Sequence, residues 1–190
     1  MKNISSIIKF LKEDTWQSWL VSLVLIIIFI KFIFFPSVSL ITSSPLPLVV
    51  VESCSMYHQT DFEEWWDRNS EPYKNLGITK SEFENFPNKN GLNKGDIILV
   101  WGRSGYKEGD IIIFNTDPKF NLPYPIIHRL VDSSPFSTRG DNNSNQAEFE
   151  RDIKEQAILG KSLLKIPLIG WIKLAFFEPF RSPNQRGLCK

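Results

Sequence analysis

Between Trp19 and Phe35 the chain reads WLVSLVLIIIFIKFIFF, an apolar run broken only by Ser22 and Lys31. Wound as a helix, the run reaches about 25 Å, enough to cross a slightly thin bilayer. Lys31 lies near its far end, where an ammonium can snorkel to the interface. Trp16 and Trp19 sit at the near end, where amphipathic indoles collect. Ser37-Val38-Ser39 offers the small residues of a leader cleavage site. The run nevertheless exceeds the ~7–15 apolar residues of a cleavable leader, so residues 19–35 are expected to remain as a transmembrane helix.

Past this run the pattern changes period. Residues 36–47 are rich in Ser and Pro, carry no helical periodicity and predict a connector. LPLVVVE (46–52) predicts a short buried strand. Residues 57–94 are charged and aromatic, and read as a partly helical insertion. Within it, Asp61 is placed to cap a helix through Trp66, and Thr79 with Glu82 has the spacing of a capping box. Trp65 and Trp66 fit a small core for this insertion better than a ligand platform.

Two similar phrases follow, NKGDIILVWG and KEGDIIIFNT, each with Gly-Asp at a turn before a β-rich run. PYPIIHRLV (123–131) predicts another strand, STRGDNNSNQ a turn cluster, and AILGKSLLKIP (157–167) a last strand. The fold class is therefore mainly β: a compact coiled-sheet domain over 48–170, interrupted by the 57–94 insertion and preceded by one helix. IPLIGWIKLAFFEPF, leading into the C-terminal segment 171–190, is apolar but broken by Pro167, Gly170 and Pro179. It is too short for a second span. It closes the domain or dips into the outer leaflet as an interfacial surface.

Charge adds orientation. Lys2, Lys9 and Lys12 precede the apolar run, and after it no Lys or Arg occurs before Arg68. The positive-inside rule puts residues 1–18 in the cytoplasm and the β-domain on the extracytoplasmic side. A net charge of +1 supplies no footprint for nucleic acid. The two histidines, His58 and His128, cannot build a metal centre without carboxylate help, and metal catalysis is not expected. Cys54 and Cys189 lack the spacing of a zinc site. An extracytoplasmic compartment would permit a bridge between them, but one bridge is a thin framework, and the expectation is that they stay unpaired.

The candidate chemistry lies at the end of the first strand. Ser55 needs a base within hydrogen-bond reach, and that base gains from a third group that orients it. His128, on a later strand, and Asp141, in the following turn, are the candidates. A histidine in an apolar strand is, taken alone, more often structural. His58 is a rival base three residues after Ser55, and Cys54 a rival nucleophile.

Together, Ser53-Cys54-Ser55-Met56, Gly109-Asp110-Ile111-Ile112-Ile113-Phe114, Ile127-His128-Arg129, Arg139-Gly140-Asp141-Asn142-Asn143 and Ile158-Leu159-Gly160-Lys161 resemble the motifs of type I signal peptidases, in order and approximate spacing. The resemblance covers residue 19 to about 170. A histidine at position 128, where bacterial members carry lysine, resembles the archaeal and endoplasmic-reticulum branch. The resemblance implies a signal-peptidase-like coiled β-sheet, Ser55 as nucleophile, His128 as general base and Asp141 as its supporting acid. It also implies that the Ser53 hydroxyl joins the Ser55 N–H at the oxyanion. The branch usually has a second aspartate six residues after the first; here that spacing lands on Ala147. Glu148 and Asp152 are the substitutes, with Asp152 favoured.

The resemblance further implies a membrane-anchored serine endopeptidase that cleaves signal-peptide-bearing preproteins through an acyl-enzyme, without metal or organic cofactor. Val49, Val51, Ile112 and Ile126 would line shallow pockets for small substrate residues. Its partners would be preproteins and the lipid bilayer, with the Sec translocase a further candidate. The membrane is the cell membrane if the chain is archaeal and the endoplasmic reticulum if it is eukaryotic. Two other readings share these motifs: an inactive anchored β-domain that binds preproteins, and a processing peptidase for pilin-like or surface proteins.

Overall fold

The computed structural model describes residues 2–103 and 105–190. The chain divides into two units, Met1–Ile41 and Thr42–Lys190.

The first unit is helical. Helix α1 spans Lys2–Leu11 and α2 spans Trp16–Phe29. Thr15 caps α2 by accepting from the Ser18 N–H, and the Trp19 indole donates to Asp14 at 3.1 Å. The helix then widens into a π turn over Ile30–Phe34 before α3, Phe35–Thr42. The connector expected over 36–47 is therefore helical as far as Thr42, and this is a correction to the sequence reading. Pro36 has no N–H and its ring clashes with an i−4 carbonyl in a regular helix. Ahead of it, the Phe35 N–H reaches back five residues to the Ile30 carbonyl, so the ladder has already slipped where the proline enters. Trp16–Thr42 is one helix long and apolar enough to cross a membrane. It measures about 40 Å along its axis. From Leu20 to Phe35 its large apolar side chains are exposed on all sides.

The second unit is built on a six-stranded sheet in the order β1-β2-β6-β3-β4-β5, antiparallel throughout. The strands are β1 (Leu48–Val50), β2 (Ile97–Trp101), β3 (Ile111–Phe114), β4 (Ile126–Ser133), β5 (Phe136–Arg139) and β6 (Ile158–Ile166). Strand β5 takes up part of what reads as a turn cluster in the sequence. It is short, and its alternation is masked by Ser137, Thr138 and Arg139.

Strand β3 shows why the sheet holds. Successive side chains point to opposite faces. Ile111 and Ile113 join a core with Val51, Met56 and Ile98, while Ile112 and Phe114 join another with Leu130 and Ile153. All four β3 residues are buried, so the strand reads as a continuous apolar run rather than as an alternation.

The two Gly-Asp phrases take the same form in space. Gly95 and Gly109 are both left-handed, at φ +92° and +89°. Asp96 and Asp110 each accept the N–H three residues back, from Asn93 and Lys107. A Cβ at Gly95 would lie 2.1 Å from the Trp171 ring, and one at Gly109 would lie 2.2 Å from Phe86. The glycines thus supply both the turn and the room for a neighbouring aromatic.

The insertion carries α4 (Phe62–Asn69), α5 (Glu71–Lys74) and α6 (Lys80–Glu84), with Asp61 capping α4 and a Thr79–Glu82 capping box on α6, as the sequence predicts. Phe62, Trp65, Trp66, Tyr73 and Phe83 form its buried cluster. The last helix, α7 (Trp171–Phe177), buries Leu174 and exposes Ile172, Phe176 and Phe177.

Candidate active site

The strand β1 ends at Val50, and the chain turns through Glu52-Ser53-Cys54-Ser55 into Met56, which is 1% exposed in the core. Val51 before the turn and Met56 after it anchor the segment, and leave Ser53 exposed and Ser55 half-buried. Asn142 holds the turn by its backbone: its N–H donates to the Ser55 carbonyl at 2.7 Å, and its side-chain amide to the Cys54 carbonyl at 3.0 Å.

His128 sits in β4 opposite Ile112 of β3. Its Nε2 lies 3.0 Å from the Ser55 Oγ, and its Nδ1 lies 2.5 Å from the Glu150 Oε1. A carboxylate on Nδ1 fixes the proton there, which turns the Nε2 lone pair toward the serine hydroxyl. This is the orientation a general base requires. The Ser53 Oγ is 3.1 Å from the Ser55 Oγ.

Glu150 is fully buried. Its Oε1 also accepts the Gly140 N–H at 3.1 Å, and its Oε2 the Ala147 N–H at 2.6 Å. The carboxylate is thereby oriented before the histidine meets it. Gly140 leaves room for the imidazole: a Cβ there would come within 2.9 Å of His128 Nε2 and 2.5 Å of the Asn143 side-chain nitrogen.

The acids expected beside His128 lie elsewhere. Asp141 accepts from Arg129 Nη2 at 2.7 Å and Nε at 3.0 Å, from the Tyr73 hydroxyl at 2.8 Å, and pairs with His58 Nε2 at 2.9 Å. The reason lies in β4. Arg129 follows His128 and points to the opposite face, where its fully buried guanidinium requires a carboxylate. Burial alone would raise the Asp141 pKa, but Arg129 and His58 hold the carboxyl well below the usual aspartate range. The Tyr73 hydroxyl is pushed well up, by burial and by the neighbouring Asp141 charge.

Asp152 is exposed at φ +50° and pairs with Lys154 at 2.8 Å, while Glu148 is exposed and pairs with Lys119 at 3.3 Å. Neither is among the groups bonded to His128. Glu150, between the two, was missed. The usable signal was the spacing from Ala147, since a glutamate three residues into a turn folds back onto its first N–H. His58, the rival base, is committed to Asp141 and stacks on Trp65 with ring centroids 3.7 Å apart. Cys54 and Cys189, expected to be unpaired, form a disulfide with Cα atoms 5.6 Å apart. Spacing along the chain could not show this, because the bridge depends on residues 171–190 folding back to the Ser53–Ser55 turn.

With this geometry in hand, relatives can be compared. The signal peptidase complex catalytic subunit SEC11 of Verticillium alfalfae is 26% identical over 161 residues, covering 77% of this chain and 73% of the relative. The protein of the same name from Lachancea thermotolerans is 28% identical over 162 residues, covering 77% and 76%. That of Fusarium vanettenii is 25% identical over 161 residues. The chain is similar to signal peptidase catalytic subunits. The resemblance read from its motifs thus extends over most of its length. No family model matches the chain.

Proposed function

We propose that this chain is a membrane-anchored serine endopeptidase that removes signal peptides from preproteins. The observation that carries the reading is the relay from Glu150 through both nitrogens of His128 to the Ser55 hydroxyl. The similarity to proteins named as signal peptidase catalytic subunits supplies the substrate class.

In this reading Ser55 Oγ attacks the scissile carbonyl while His128 Nε2 takes its proton. Glu150 holds the imidazole and offsets the charge that develops on it. The Ser53 hydroxyl and the Ser55 N–H serve the oxyanion, where losing one donor typically costs ~2.7–4 kcal/mol. His128 then gives its proton to the leaving amine, and water hydrolyses the acyl-enzyme.

The helix Trp16–Thr42 is the anchor in this reading, and the lysines before it support an extracytoplasmic second unit. Ile172, Phe176 and Phe180, between 72% and 87% exposed, support lipid contact by the segment 171–190. The relatives' names also support a place for this chain in a multi-subunit complex.

The test is cleavage of signal-peptide-bearing preproteins in liposomes. Ser55→Ala and His128→Ala should each abolish cleavage while the protein stays folded, a loss of at least ~10⁴-fold. Undiminished cleavage by Ser55→Ala would overturn the mechanism. A wild type inactive on several preproteins would favour a binding domain without activity.

A further inference from the structure

The segment 171–190 returns to the nucleophile turn and grips it on both sides of Ser53. Before Ser53, Glu52 Oε1 takes the Lys173 ammonium at 2.9 Å, Oε2 pairs with Arg181 Nη2, and the Glu52 carbonyl accepts Arg181 Nη1 at 3.1 Å. After it, Cys54 is bridged to Cys189, 135 residues away in sequence. Burial alone would raise the Glu52 pKa, but Lys173 and Arg181 together hold the carboxyl below its usual range.

The segment is itself well seated. Lys94, 1% exposed, pairs with Glu178 at 2.8 Å and donates to the Gln185 carbonyl at 2.6 Å, and the Trp171 indole donates to the Lys94 carbonyl at 2.9 Å.

These grips are not needed to build the core. Val51 and Met56 already bury the chain on either side of the turn, and residues 52–55 add no side chain to any apolar cluster. What the grips restrain is a partly exposed stretch whose main chemical asset is the Ser55 hydroxyl. We propose that the segment 171–190 is a strap that positions Ser55 for attack, acting through Glu52 and the Cys54–Cys189 bridge. The proposal rests on the proteolytic reading above. Glu52 and the two cysteines are positioning residues, and full activity requires an oxidising compartment. Both sulfurs belong to half-buried residues, within reach of a reductant. A dithiol would convert the bridge to two cysteine thiols and itself become a cyclic disulfide.

The experiment uses the full chain in detergent, far below its melting temperature, with a preprotein substrate. Wild type is assayed oxidised and after dithiothreitol, beside Cys189→Ser, Cys54→Ser and Glu52→Gln. Amide exchange over residues 52–56 is followed in parallel on oxidised and reduced Ser55→Ala. Loss of the bridge should lower kcat about tenfold with KM within about twofold, as expected for a misplaced nucleophile. Dithiothreitol should not lower Cys189→Ser further, and exchange over 52–56 should quicken on reduction. An unchanged kcat in reduced wild type and Cys189→Ser, with Ser55→Ala inactive, would overturn the strap and leave the proteolytic reading standing. If no form cleaves, yet exchange quickens on reduction, the proteolytic reading falls and the segment is only a brace.

Discussion

Two carboxylate–histidine pairs are buried in this protein, in contrasting surroundings. Glu150 meets His128, and Asp141 meets His58. What separates them is the third partner. His128 turns its other nitrogen to a serine hydroxyl on a half-exposed turn. Asp141 is already engaged by the Arg129 guanidinium and the Tyr73 hydroxyl, and its histidine lies flat against Trp65. The Asp141 carboxylate is shared among Arg129, Tyr73 and His58. It serves as a pillar between the insertion and the sheet. The adjacent positions of His128 and Arg129 in β4 send one pair to the Ser55 turn and the other toward the insertion.

Mutation should separate the pairs cleanly. The largest effect is expected from Glu150→Gln, which should lower kcat by about 10²–10⁴-fold while KM stays nearly constant, measured by preprotein cleavage. Arg129→Met strands the Asp141 charge and should cost about 3–5 kcal/mol of stability in urea unfolding. Its folded fraction should retain normal kcat. His58→Phe keeps a ring against Trp65 but removes one hydrogen bond to Asp141, for a loss of about 1–3 kcal/mol and no change in kcat. A catalytic loss in His58→Phe at full folding would collapse the distinction.

The smallest effect concerns pH. Because the Asp141 carboxyl is depressed in the folded state, its stabilisation is present above the ordinary aspartate value of 3.8 and fades as pH falls below it. The stability gap between wild type and Asp141→Asn should therefore narrow below about pH 4 in thermal melts.

Much of this was legible along the chain. The apolar run, the capped insertion helices and the paired Gly-Asp turns are local signals, and local signals survive folding. Ser55 and His128 were readable because each sits in its own short motif, and the structure brings them together. The acid was not readable. Its place depends on how the loop from Asn142 to Asp152 folds, and three acidic residues there, Glu148, Glu150 and Asp152, differ in which one turns inward. Asp141 was legible as important but not as a pillar, since its partner Arg129 could not be paired with it before β4 and β5 were aligned. The bridge from Cys54 was hidden for a similar reason. Nothing local to either cysteine records that residues 171–190 fold back to β1. The helix end differs from the expectation because the Ser- and Pro-rich stretch from residue 36 carries no helical periodicity, whereas the wide turn before Pro36 lets the helix continue to Thr42.

Gly140 gives the relay a further property. Its conformation requires no glycine, yet any side chain there would press on His128 Nε2 and Asn143. Positions 128 and 140 are therefore one steric unit, a ring and the vacancy it occupies. A larger residue at 140 would have to displace the imidazole or the Asn143 amide, so Gly140→Ala should disturb the His128–Ser55 contact without touching either residue's chemistry. A hydrogen atom, at that one position, is as much a part of the centre as the imidazole.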